Sequence, residues 1–285
     1  MKVLFIPDVH QTYVGLEYAK KHVDEVDKIV FGGDYVDNWK SEEWWTTKQN
    51  PLKVIDAVLE FKEAHKDKVE LLIGNHDISY MTPCEDGAHV SGHQWIHHAE
   101  IRNHLLKNTI EFKVGVEFDG WVFSHAGFST KWMKSLGEEV TKENLIETVN
   151  KRFTEQVTQI DWKGWSFFLD HCGFEGSGDD PDEGPVWIRP NSLAAHSLFE
   201  KQVVGHTEVN LIVNLPNGGI YVCDCHDHNI FGWIDTKENT FIYKDLNENE
   251  VVPQSCKVTQ EQIDKCQLAY EARLEKLKQF GGFFL

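Results

Sequence analysis

Three short polar motifs, Asp8-Val9-His10, Gly33-Asp34-Tyr35-Val36-Asp37 and Gly74-Asn75-His76-Asp77, each terminate a β-branched apolar run, and helical patterns fill the intervals between them. Lys2 to Ile6, Lys28 to Phe31 and Val69 to Ile73 read as strands, and residues 12–22 and Leu52 to Ala64 as helices. Strands that alternate with amphipathic helices pair in parallel through right-handed crossovers and gather ligands at their carboxyl ends. The pattern predicts an α/β fold whose chemistry sits at one edge of a sheet.

Further along, helical spacing appears near Trp95 to Leu106, a strand is expected around Thr109 and Ile110, and Trp121 to Phe123 leads into Ser124-His125-Ala126-Gly127. Residues Lys131 to Leu169 read as helical, with Leu145, Ile146, Val149, Phe153 and Val157 on one stripe. The acidic run from Glu175 to Gly184 breaks the pattern and is expected to be a loop, either a solvated one or one near the groove of the site. Strands resume at Gln202 to Val204, in the runs ending at Val213 and starting at Ile220 with Asn217-Gly218-Gly219 as the turn, and near Ile230 to Ile234 and Phe241 to Tyr243. From Thr259 the chain reads as a helix whose stripe Ile263, Cys266, Tyr270, Leu274 and Leu277 docks on its own domain, followed by the apolar tail Gly281 to Leu285.

Composition narrows the class. A net charge of −18 over 285 residues opposes a broad basic footprint for nucleic acid. The first apolar run is too short for a signal segment, and no window approaches the roughly 20 apolar residues of a membrane span, so a soluble, cytoplasmic protein is expected. Its six cysteines lack paired CxxC spacing and read as free thiols; Cys223 and Cys225 read as one face of a strand.

Asp8 and His10 lie two residues apart in extended geometry, so both can reach one cation. Asp34 is placed to bridge that cation to a second, for which Asn75, His125 and His206 supply further oxygen and nitrogen donors. Such donors suit manganese, with iron or zinc as alternatives. The histidines His89, His93, His97, His98 and His104 lack cysteine or carboxylate companions at structural-zinc spacing and read as a polar helix face. Trp39, Trp44, Trp45 and Trp95 either wall a groove or lie buried under a cap.

The order DxH, GDxxD, GNHD, a strand-borne His before Ala-Gly, then Gly-His resembles the calcineurin-like metallophosphoesterase superfamily. Gly33-Asp34-Tyr35-Val36-Asp37 and Ser124-His125-Ala126-Gly127 resemble its phosphoprotein phosphatase branch, especially compact bacterial and bacteriophage members. The resemblance implies a two-layer mixed β sandwich flanked by helices, in a domain over residues 1–250 with helical insertions near 84–108 and 131–170, then a C-terminal helix and tail over 251–285. It implies two divalent cations, the first held by Asp8, His10 and Asp34, the second by Asp34, Asn75, His125 and His206. In that pattern Asn75 also lies against the substrate phosphate. His76 would be the acid for the leaving alkoxide, oriented by Asp37, which is expected to raise its pKa. Asn38-Trp39 replaces the branch's Arg-Gly, so one phosphate-gripping arginine is missing there; Arg189 resembles the downstream one, with Arg102 as a weaker candidate, and Glu208 stands where other phosphoesterases carry a second histidine. The implied substrate is a phosphorylated protein or a small phosphoester, hydrolysed as by a serine/threonine phosphatase. The alternatives are a nucleotide phosphohydrolase acting on dinucleoside polyphosphates or cyclic nucleotides, and a non-catalytic scaffold of the same fold.

Overall fold

The computed structural model describes residues 1–38, 50–81, 90–159, 169, 180–223 and 229–279. The N-terminal half delivers the expected β-α-β-α-β order: β1 (Lys2–Ile6), α1 (Val14–His22), β2 (Lys28–Phe31), α2 (Pro51–Ala64), β3 (Val69–Leu72) and α3 (Asn75–Met81). Asn50 caps α2 by accepting a hydrogen bond from the Leu52 amide at 2.9 Å, and Pro51 starts that helix without needing its own N–H. After α4 (His98–Lys107) come β4 (Phe112–Lys113), β5 (Gly115–Phe118), β6 (Trp121–Ser124), α5 (Thr130–Ser135) and α6 (Leu145–Gln159). The second half runs α7 (Pro190–His196), β7 (Lys201–Val204), β8 (Leu211–Leu215), β9 (Gly218–Val222), β10 (Phe231–Asp235) and β11 (Thr240–Lys244), then β12 (Glu250–Val251), β13 (Gln254–Lys257) and α8 (Gln260–Gln279).

Two sheets result, a seven-stranded one ordered β12-β11-β10-β1-β2-β3-β4 and a six-stranded one ordered β13-β8-β9-β7-β6-β5. The run β1-β2-β3-β4 is parallel, and β10 joins β1 antiparallel. Strand alternation sorts the core into layers: Leu4 and Ile6 face α1 and α2, whereas Val3 and Phe5 join Val30, Leu72, Trp121, Phe123 and Val203 between the sheets. Phe5 and Phe123 meet across that interface, ring centroids 6.1 Å apart. A third cluster, including Leu193, Val204, Val213 and Ile220, packs α7 on the outer face of the second sheet. Helices, sheet, sheet and helices thus form the expected sandwich, and no described helix is long and apolar enough to cross a membrane.

Several local expectations fail for identifiable reasons. Thr109 and Ile110 lie in a 3₁₀ turn, and the strand begins only at Phe112. The Thr109 hydroxyl donates back to the Leu106 carbonyl at 2.9 Å, closing α4, so its β-branching serves a helix end rather than a strand. Gly218 and Gly219 start β9, leaving Pro216 and Asn217 as the loop. A Cβ at Gly218 would collide with the Glu200 carbonyl, so this glycine answers a close backbone approach. Within the span Lys131 to Leu169 the described residues form two helices, α5 and α6, with Leu145, Val149, Phe153 and Val157 of the expected stripe buried and Ile146 half-buried; residues 160–168 lie outside the described residues.

Before α8, residues 250–257 add one strand to the edge of each sheet, so the C-terminal segment is more than helix and tail. Helix α8 docks through Ile263, Gln267, Tyr270 and Arg273, while Cys266 is exposed. Arg273 donates to Asp180 at 2.9 Å, Asp182 bonds Tyr270, and Glu183 is fully buried. These three acids of the expected loop therefore face the protein and not a groove; Glu175 to Asp179 lie outside the described residues, as do Trp39, Trp44, Trp45, His89, Cys225 and the tail. Among the described residues, Cys223, Cys256 and Cys266 are not joined in disulfides.

Candidate active site

The motif residues converge where the carboxyl ends of β1, β2 and β3 meet those of β6 and β7. Five of them, or their immediate neighbours, hold left-handed backbone: His10 (φ 42°), Gln11 (59°), Asp34 (53°), Asp37 (61°) and His206 (65°). Such conformations cost about 1–3 kcal/mol each for non-glycine residues and persist where surrounding contacts enforce them. The glycines of the motifs make room: a Cβ on Gly74 would strike the Asp34 carboxylate, and one on Gly205 the Asp8 carboxylate.

Two groups of potential ligands share Asp34, namely His10-Asp34-His76 and Asp8-Asp34-His125, with the donor atoms of each group within 4.8 Å of one another. Hydrogen-bond partners decide which histidine nitrogens are free for a cation. His125 Nδ1 lies 2.8 Å from the Gly32 carbonyl, which can only accept, so Nδ1 carries the proton and Nε2 presents a lone pair. That lone pair faces Asn75 Oδ1 at 2.9 Å and Asp34 Oδ2 at 3.5 Å, and His206 Nδ1 meets the same Asn75 oxygen at 3.1 Å. His10 repeats the pattern: Nδ1 donates to the Asp37 carbonyl at 2.9 Å, leaving Nε2 3.8 Å from Asp34 Oδ2.

Burial pushes His125 down to about 3 and His206 well below the usual range, so both rings are neutral, and His125 Nε2 carries no proton toward the Asn75 oxygen. Burial and the nearby Asp8, Asp77 and Asp37 charges hold Asp34 well above the ordinary carboxylate range. Cations reconcile these close contacts: with ligand bonds of about 2.1 Å, neighbouring donors lie about 3 Å apart, as here. The donor set therefore fits two cations around Asp34. Asp8 also fixes the last motif, its carboxylate accepting from the His206 amide at 3.0 Å.

On the opposite side of His76 every contact is a conventional hydrogen bond. His76 Nδ1 lies 3.0 Å from Asp37 Oδ2, and Asp37 Oδ1 accepts from the Tyr80 hydroxyl at 2.5 Å. Burial dominates here, lowering His76 to about 3 and raising Asp37 to about 8, contrary to the expectation that the carboxylate lifts the imidazole. The pair still holds a transferable proton at neutral pH. Whether the shared hydrogen rides on Asp37 or on Nδ1, the Nε2 of His76 keeps its own and can donate it.

Asp77 was not singled out in the sequence, yet its carboxylate accepts from the amides of Asp34 (2.8 Å), Tyr35 (2.9 Å) and Gly74 (3.0 Å), tying the second motif to the third. Its position directly after His76 was the available signal. Tyr80 lies one helical turn beyond His76, which periodicity could have flagged; Gln94 arrives from the segment before α4 and left no trace in the pattern. Arg189 lies at the His206 side, donating to the His206 carbonyl at 3.2 Å. Glu208 is exposed and belongs to neither ligand group, and Arg102 sits half-buried on α4. Of the histidines expected on a polar face, His98 is buried and bonds His93 at 3.0 Å as an internal pair, while His97 and His104 are partly exposed and meet Glu100 and Asp56.

Residues 1–209 match the family model described as calcineurin-like phosphoesterase. The chain belongs to that family. It is accordingly a metal-dependent phosphoester hydrolase whose site takes two divalent cations. Comparison with curated protein sequences gives no match. Among solved structures, the cold-active protein-tyrosine phosphatase of the psychrophile Shewanella sp. is 16% identical, covers 89% of this chain and 80% of its own, and superposes with a TM-score of 0.61. Another structure of a cold-active protein tyrosine phosphatase is 17% identical over 88% of this chain and 78% of its own, also with a TM-score of 0.61. At such identity the likeness establishes the shared fold.

Proposed function

We propose that this calcineurin-like phosphoesterase is a protein phosphatase that hydrolyses phosphoserine and phosphothreonine monoesters. In this reading Asp8, His10 and Asp34 hold one cation, and Asp34, Asn75, His125 and His206 hold the other, manganese being the first choice. When bound, the cations supply charge to neutralise the phosphate and acidity to water. Arg189, on the His206 side, and Asn75 would grip the phosphate, and His76, oriented by Asp37, would protonate the departing oxygen through Nε2.

The observation that carries the substrate class is the fully hydrogen-bonded His76–Asp37 pair. A serine or threonine alkoxide is a poor leaving group and gains most from a positioned acid. The phosphate released from a dinucleoside polyphosphate leaves readily without one. The Shewanella enzyme, a tyrosine phosphatase by name, releases a phenolate, which lies between these extremes.

A substrate panel with manganese added tests the proposal, comparing phosphoserine, phosphothreonine and phosphotyrosine peptides with a dinucleoside polyphosphate and a cyclic nucleotide. The highest kcat/KM is expected on the phosphoserine or phosphothreonine peptide. A clear preference for either nucleotide would overturn the protein-phosphatase reading while leaving the phosphoesterase intact.

A further inference from the structure

Asp37 has two carboxylate oxygens, and only Oδ2 is engaged with His76. The other is held by groups that no catalytic step requires. Tyr80 Oη lies 2.5 Å from Asp37 Oδ1 and receives the Gln94 backbone N–H at 2.6 Å. An amide N–H can only donate, so the tyrosine oxygen is the acceptor there and its own hydrogen must point at Asp37. The direction of this bond is thereby fixed by covalent chemistry.

The Gln94 side chain closes the arrangement. Its Nε2 donates to Gln11 Oε1 at 2.6 Å and reaches Asp37 Oδ1 at 3.3 Å, while Gln11 Oε1 also accepts from the Asn38 amide at 3.2 Å. Turning the Gln94 amide over would set its oxygen against two others. Tyr80, Asp37, Gln94 and Gln11 are all buried, and the tyrosine ring stacks on His93 with centroids 4.2 Å apart. His93 is itself held by Ser79 at 3.2 Å and His98 at 3.0 Å. Asp37 cannot rotate its carboxylate without breaking two bonds to Oδ1, and His76 cannot swing its ring without leaving Oδ2.

We propose that Tyr80 and Gln94 are positioning residues for the leaving-group acid, clamping Asp37 so that His76 Nε2 stays aimed at the departing oxygen. This rests on the assignment of His76 as the acid. Loss of the clamp then costs rate where protonation matters and little where it does not. Because Asp37 also receives His10 Nδ1–H on its carbonyl, the clamp acts on the carboxylate while the ligand side is fixed separately through the backbone.

The test compares full-length wild type, Tyr80→Phe and Gln94→Leu, each loaded with manganese, on a phosphoserine peptide and on p-nitrophenyl phosphate, whose leaving group needs little protonation. Tyr80→Phe is expected to lower kcat on the peptide about 10- to 100-fold, the usual range for an outer partner of a site residue, with KM, metal content and the p-nitrophenyl phosphate rate nearly unchanged. Gln94→Leu should show the same selectivity with a smaller loss, and it carries the test alone if Tyr80→Phe does not fold. Equal losses on both esters, or no loss on the peptide, would overturn the proposal. His76→Asn run in parallel separates the layers. If it is selective and the clamp variants are not, only the positioning role falls; if it too loses equally on both esters, the acid assignment falls with it.

Discussion

His76 stands between two regions that look alike in the sequence and differ in kind. Toward Asp34, Asn75, His125 and His206, acceptors crowd together: the His125 Nε2 lone pair faces Asn75 Oδ1 at 2.9 Å and Asp34 Oδ2 at 3.5 Å, and His206 Nδ1 reaches the same Asn75 oxygen at 3.1 Å. Toward Asp37 and Tyr80, both carboxylate oxygens and the hydroxyl oxygen have a hydrogen-bond partner within the chain. The first region crowds acceptors around Asn75 and Asp34, whereas in the second the Asp37 carboxylate is satisfied by the chain itself. Buried polar groups without partners are costly, so the difference separates the part that must take up cations from the part that works through protons.

The largest test of this contrast is Asp34→Ala, which removes the carboxylate common to both ligand groups. Both metal equivalents should be lost in elemental analysis, and kcat/KM should fall about 10⁴-fold or more, as for a lost catalytic carboxylate. A variant that retained two metals and normal turnover would erase the distinction. On the other side, His76→Asn should keep its metal while kcat on an alkyl phosphate drops by about 10² to 10⁴. Metal loss in that variant would move His76 into the ligand region, alongside His10 and Asp34, with which it also groups by distance.

A smaller effect is expected at Asp77→Asn. One carboxylate accepts three amides here, and an asparagine oxygen cannot replace both carboxylate oxygens. Metal affinity should weaken about 10- to 100-fold, with kcat recovering at saturating metal; a kcat defect that persists would place Asp77 on the proton side instead. The gentlest test is proton release. Asp34 is held well above the ordinary carboxylate range before any cation arrives, so uptake must displace its proton, and more protons should be released at lower pH. Apparent affinity should therefore rise with pH. Calorimetry in buffers of different ionisation enthalpy reads the count, and a buffer-independent heat would contradict it.

The convergence of the first region was legible in the sequence because its residues sit at strand ends, Asp8 and His10 two residues apart and Asp34, Asn75 and His206 each directly after a glycine. Asp8, His10, Asp34, Asn75, His125 and His206 come together for that reason. The proton region was only half legible. Asp37 and His76 belong to motifs, but Tyr80 acts through a helical turn and Gln94 through a tertiary approach that no local pattern records. The fold followed the same rule. Parallel strands announced themselves through alternation, whereas Thr109 and Gly218 were misread because a helix end and a close backbone contact use the residue types of strands and turns.

The antiparallel partner of β1 has a consequence for how such a molecule is made. Lys2 pairs with Asp235, and Asp8 meets the amide of His206, so β1 leaves a ribosome far ahead of these partners and waits for them. Until they emerge, one edge of β1 offers bare N–H and C=O groups, and Asp8 has no amide to steady it. The motifs that announce the enzyme are translated early, but the cradle they form closes last. A nascent chain stopped before β10 would already carry all six candidate ligands and the His206 amide, yet β1 would still lack its antiparallel partner, so cation uptake by the complete site belongs after synthesis of β10.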